Sequence, residues 1–86
     1  MPEICRIGSV RVVMYFEDHG GPHFHVIDGR RRDKFYLETM EFEYDRLQQR
    51  KQREILRWAR VREAELHRAW QLVMDHKDPG RIAPLD

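Results

Sequence analysis

Near its midpoint this 86-residue chain changes its hydrophobic period from two to about 3.6, which limits the fold to a sheet half followed by a helical half. Residues 10–16 (VRVVMYF) are β-branched and aromatic and run into Glu17-Asp18-His19-Gly20-Gly21-Pro22, a cluster of turn formers that reverses the chain. Residues 23–28 (HFHVID) then alternate, with His23, His25 and Ile27 on one face and Phe24, Val26 and Asp28 on the other. Gly29 with Arg30, Arg31 and Arg32 makes a second turn, residues 34–38 read as a third strand, and residues 40–44 add a short fourth. From Leu47 to about Asp75 the apolar residues Ile55, Trp58, Ala59, Leu66, Ala69, Trp70 and Val73 share one helical arc of about 120°. Arg62 alone interrupts it.

A continuous helix of that length would be about 43 Å long, more than a domain of this size can hold, so a break is expected near residues 61–63. Pro79-Gly80 ends the helical region, and an extended tail should tuck Ile82 and Leu85 against the body. The expectation is one α+β domain over residues 1–86. A three- or four-stranded antiparallel meander (about 8–44) is packed by two consecutive C-terminal helices (about 46–76), and a tail follows (79–86).

A chain this short must commit most of its apolar side chains to one core, which leaves few for a large ligand cavity. Cys5 is the only cysteine, so no intrachain disulfide and no cysteine-based zinc cage can form, as suits a reducing cytosol. No apolar run approaches the roughly 20 residues that span a bilayer, and the N-terminus lacks the pattern of a signal peptide. We expect a cytoplasmic protein without a membrane partner. A net charge of +1 hides a segregation: residues 38–45 carry four acidic residues and no basic one, whereas residues 46–62 carry seven basic residues against Glu54 alone. Such a pattern is compensated internally, or it meets a polyanion or an acidic protein surface.

Chemistry concentrates at Asp18-His19-Gly20-Gly21-Pro22-His23-Phe24-His25, three imidazoles within seven residues. His23 and His25, at i and i+2 on a strand, point to the same side with Cα atoms roughly 6.5 to 7 Å apart, within reach of one metal ion. His19 across the turn and Asp18 are the candidates to complete a site for a transition metal such as zinc. His67 and His76, nine residues apart, point to opposite sides of a helix and make no pair. The alternative roles for His19, His23 and His25 are acid–base catalysis, with Tyr15 or Arg11 stabilising developing negative charge, or a structural hairpin. Arg46, Arg50, Arg53, Arg57 and Arg60 fall within an arc of about 80° opposite the apolar stripe, where they could track a phosphate backbone or form a solvated face. No aromatic residue interleaves with them.

Several of these residues carry a resemblance. Met1-Pro2, Met14-Tyr15, Asp18-His19 followed by Pro22-His23-Phe24-His25-Val26, then Trp58, Leu66 and Trp70, and Pro79, Ile82, Pro84 and Leu85, are similar to domain-of-unknown-function family 4160 of bacteria. Gly21 replaces the first proline of the family's pair, and the Gly-x-Leu-Pro turn usual before the helix is absent. The strand also resembles that of histidine-triad nucleotide hydrolases, but Ile27 stands where their third histidine belongs. The resemblance to family 4160 implies no reaction. It implies a context, a small cognate protein encoded nearby in a toxin–antitoxin-like two-gene module. In that setting our first reading makes the cluster of His19, His23 and His25 an active or recognition site that acts on or binds RNA. The reading from another class is a non-catalytic module that binds protein or nucleic acid through the arginine-rich helix.

Overall fold

A computed structural model describes residues 2–85. Five strands form one antiparallel sheet in chain order, β1 (Glu3–Ile7), β2 (Val10–Val13), β3 (His23–Asp28), β4 (Arg31–Tyr36) and β5 (Glu41–Phe42). The helices α1 (Gln49–Val61) and α2 (Glu63–Met74) follow. The meander and the two consecutive helices are as expected, but the sheet has five strands instead of three or four. The extra one is β1, before residue 8. A bulge between Glu3 and Cys5 places the neighbours Ile4 and Cys5 both in the core, and this erases the alternation by which a strand is read.

Register fixes which residues share a face. Arg11 lies opposite Ile27, Val13 opposite His25, His25 opposite Lys34, and His23 opposite Tyr36. These residues form one face of the sheet. Val12, Phe24, Val26 and Phe35 point to the other face, where they are fully buried. There Phe24 stacks on Phe35 (ring centroids 4.9 Å) and meets the edge of Trp58 (5.7 Å), so α1 lies on this side through Ile55, Trp58 and Ala59. Leu66, Ala69, Trp70 and Val73 of α2 complete the core.

The helix break falls at Arg62 (φ −99°, ψ 19°), the one residue that interrupts the apolar arc. Its guanidinium turns to the tail instead, donating to the carbonyls of Ala83 (3.1 Å) and Pro84 (3.3 Å). Trp58 donates to the same Ala83 carbonyl (2.9 Å), and the Ile82 amide donates to the Ile4 carbonyl (2.7 Å), so the tail closes over β1 and α1. Helix α1 starts later than expected. Buried Asp33 accepts the backbone N–H groups of Lys34, Tyr44 and Arg46 at 2.8 to 3.0 Å, which holds residues 44–46 in a turn, and Gln48 is still extended (φ −58°, ψ 143°). Arg46 therefore lies off the helix and does not belong to the arginine arc, a correction to the expected stripe. Among the described residues no helix is long and apolar enough to cross a membrane.

Candidate functional site

The segment between β2 and β3 folds back over the sheet face opposite α1, where the end of α2 also reaches it through Trp70. Gly20, at φ 87°, takes the left-handed turn that a side chain would resist. Phe16 stacks on His76 just beyond α2 (ring centroids 6.2 Å, planes 8° apart). Asp18 is thereby brought over β3, where its Oδ2 lies 2.9 Å from Nε2 of His23 and 2.8 Å from Nε2 of His25, while its Oδ1 accepts the His19 backbone N–H (2.9 Å).

The two histidines differ in their surroundings. His23 is 2% exposed, faces Trp70 of α2 (ring centroids 5.0 Å) and Tyr36 across the ladder (5.7 Å), and its Nδ1 lies 2.9 Å from the Gly21 carbonyl oxygen. His25 is partly open and meets the edge of Tyr15 (4.5 Å). A carbonyl oxygen can only accept, so Nδ1 of His23 carries a proton and Nε2 of a neutral ring presents a lone pair to the Asp18 carboxylate. Neutral His23 cannot satisfy both neighbours. Its Nε2 needs either a second proton or a cation between it and Asp18. Burial of Asp18 favours its protonated form, but the hydrogen bonds from His25 and from the His19 backbone, with the two imidazoles alongside, hold its carboxyl below the ordinary aspartate value.

Among the described residues Asp18, His23 and His25 are a group whose ligand atoms all lie within 4.8 Å of one another. His19 is not one of them. Its side chain is exposed, and only its backbone takes part, because the i+1 position beside Asp18 turns the imidazole outward. Arg11 is also drawn elsewhere, to Glu3 (2.8 Å). Arg50, Arg53, Arg57 and Arg60 lie exposed on α1, on the opposite side of the sheet from the histidines, so the two groups do not form one site. Sequence reading missed the contact with Trp70, which depends on where α2 packs, and the position of Lys34 opposite His25, which follows only from the β3–β4 register. The alternation of β4 was a signal for Lys34, since it predicts the same face once the hairpin is placed.

No curated protein and no solved structure matches the chain. The family described as Domain of unknown function (DUF4160) matches residues 10–71, from the start of β2 into α2, a span that includes Asp18, His23 and His25. The chain belongs to that family.

Proposed function

We propose that Asp18, His23 and His25 are the ligands of a catalytic transition-metal centre, zinc being the first candidate, in a protein that works in a toxin–antitoxin-like two-gene module and hydrolyses RNA. The observation that carries the metal is His23, whose two ring nitrogens both face acceptor oxygens. A cation at Nε2 removes that conflict and leaves Nδ1–H on the Gly21 carbonyl, the usual way in which a backbone oxygen fixes the tautomer and orientation of a metal-bound imidazole. The Asp18 oxygen sits at hydrogen-bond distance from both Nε2 atoms, 2.9 and 2.8 Å, so the carboxylate would have to draw back for the three atoms to hold one cation. The partly open side of His25 would give water and substrate access to a group held there.

Zinc lowers the pKa of bound water to about 7, which supplies hydroxide at neutral pH. Held by Asp18, His23 and His25, such a group would supply the hydroxide for hydrolysis of a phosphodiester, in which a P–O ester bond breaks and the departing oxygen takes a proton from water. The two-gene setting rests on the family resemblance, and the choice of RNA on the suitability of such a centre for phosphodiesters.

Zinc titrated into the purified protein should shift the ring resonances of His23 and His25 together, complete at one equivalent, and leave His67 and His76 unmoved. Rings that stay fixed at a few equivalents, or a response confined to His67 and His76, defeat the metal reading. RNA cleavage or growth inhibition should be lost in His25→Ala with the fold retained and relieved by co-expression of the neighbouring gene; an undiminished effect defeats the catalytic reading.

A further inference from the structure

Helix α1 carries Arg50, Lys51, Arg53, Arg57 and Arg60 against Glu54 alone, has no acidic residue in its first turn, and has no side-chain cap on its N-terminal amides. Positive charge at a helix N-terminus opposes the macrodipole, so this face departs from what helix stability alone favours. Lys51 is accounted for by its ion pair with Asp28. Arg50, Arg53, Arg57 and Arg60 have no carboxylate within 4.0 Å among the described residues, although Glu54 stands one turn from both Arg50 and Arg57. Elsewhere the chain does neutralise its arginines: Arg6, Arg11 and Arg81 all converge on Glu3. The steps 50, 53, 57, 60 keep the four guanidiniums in one row about 15 Å long.

Two features beside this row add aromatic and apolar surface. Arg53 lines a cleft with Arg50, Glu54 and Arg57, and it also lines an open groove of about 310 Å³ whose other walls include Met40, Phe42 and Leu56, with Gln49 and Gln52 beside them. At the head of the row the Arg46 guanidinium lies 4.1 Å over the ring of Tyr44, which is 55% exposed. The loop that presents this stack is fixed from below by buried Asp33, and it holds the non-glycine Asp45 at φ 57°. Arg46 and Arg50 are four positions apart, so their Cα atoms are at most about 14 Å apart.

From these juxtapositions we infer that the outer face of α1, with the Met40–Phe42–Leu56 groove and the Tyr44–Arg46 stack, is a docking surface for single-stranded nucleic acid. The arginine row takes the phosphates, and the groove and the stack take unpaired bases. A single strand offers both, because every base has an apolar face that stacks on aromatic rings or guanidinium planes. A duplex hides its bases. An acidic protein partner could also use the groove, but the exposed Tyr44 ring under the Arg46 guanidinium offers the flat stacking platform that an unpaired base fills. This surface lies on the other side of the sheet from Asp18, His23 and His25 and does not depend on the metal reading.

The test is fluorescence anisotropy of a labelled 12-nucleotide oligouridine with the full chain, across a salt series. Three or four phosphate contacts predict a slope of log affinity against log salt of about −2 to −3. Arg53→Gln with Arg57→Gln, both exposed, should weaken binding about tenfold or more and flatten the slope by about 1.4. Tyr44→Ala should weaken it about fivefold or more with the slope unchanged, because a stacked base releases no counterion. Circular dichroism melts check that each variant remains folded. The inference is overturned if no binding is seen at 50 mM salt, if the double variant binds like the parent, if a duplex of the same length binds more tightly, or if polyglutamate competes as well as the oligonucleotide.

Discussion

Asp18 serves two imidazoles with one oxygen, and the consequence falls on His23 more than on His25. His25 is partly open to water, which replaces a lost partner, whereas His23 is 2% exposed and is left with a buried nitrogen. In metal-free protein, where the contact is a hydrogen bond only with a proton between His23 Nε2 and Asp18, Asp18→Ala should therefore cost about 1 to 3 kcal/mol in urea unfolding, the usual penalty of an unsatisfied buried polar group. His25→Ala should cost less than Asp18→Ala, since it leaves the His23 pair intact. Equal losses in the two variants would show that the contact with His23 contributes nothing. The pairing of His23 with His25 was legible in the sequence because a strand's period of two is a rigid rule. The choice of Asp18 over His19 was not, because it depends on the φ values of the turn: 63° at Glu17 and 87° at Gly20.

Among the elements, the β5–α1 connection relies most on a single side chain. Asp33 sits in β4, on the face that holds the core, and is 4% exposed. Its carboxylate accepts three backbone N–H groups, two of them from residues 11 and 13 positions further along the chain. Asp33→Ala leaves those amides without a partner and should destabilise the protein by about 2 to 3 kcal/mol. It should also speed amide exchange at Tyr44 and Arg46 ahead of the rest; uniform exchange would contradict the role. Alternation places residue 33 on the helix-facing side, but a charge there reads from sequence as an error until its backbone partners are known.

The tail is held in part by charge. Hydrogen bonds from Arg11, then Arg6 and Arg81, lower the Glu3 carboxyl from 4.5 to about 2. A depressed folded-state value means that this clasp is fully present above about pH 4.5 and is lost as pH falls toward 2. Exchange protection of the Ile82 amide, bonded to Ile4, should weaken over that window in the parent but stay flat with pH in Glu3→Gln. The same window in both proteins would place the effect elsewhere.

At the scale of the whole molecule, the sheet separates two chemistries that the sequence sets only about thirty residues apart. Cα atoms spread over 33 × 26 × 23 Å with a radius of gyration of 11.7 Å, close to the roughly 12 Å expected for a compact chain of this length. Phe24, Val26 and Phe35 are fully buried between the faces, and close-packed interiors of this kind do not deform continuously. Coupling between two sites requires that each ligand bind two arrangements of the molecule with different affinity. Zinc at Asp18, His23 and His25 would stiffen the turn over the outer face of the sheet, whereas Arg50, Arg53 and Arg57 stand on a helix whose buried side is already fixed by Ile55, Trp58 and Ala59. Affinity for a 4-nucleotide oligouridine, too short to reach around the sheet, should therefore agree within about twofold between zinc-saturated and chelator-treated protein, a coupling below about 0.4 kcal/mol. By the same reciprocity, saturating oligonucleotide should leave the zinc titration of the His23 and His25 rings unmoved. A fivefold or greater change in either direction would mean that the two faces share a mobile element, and α2 would be the first place to look, because Trp70 touches His23 while the helix joins α1 at Arg62.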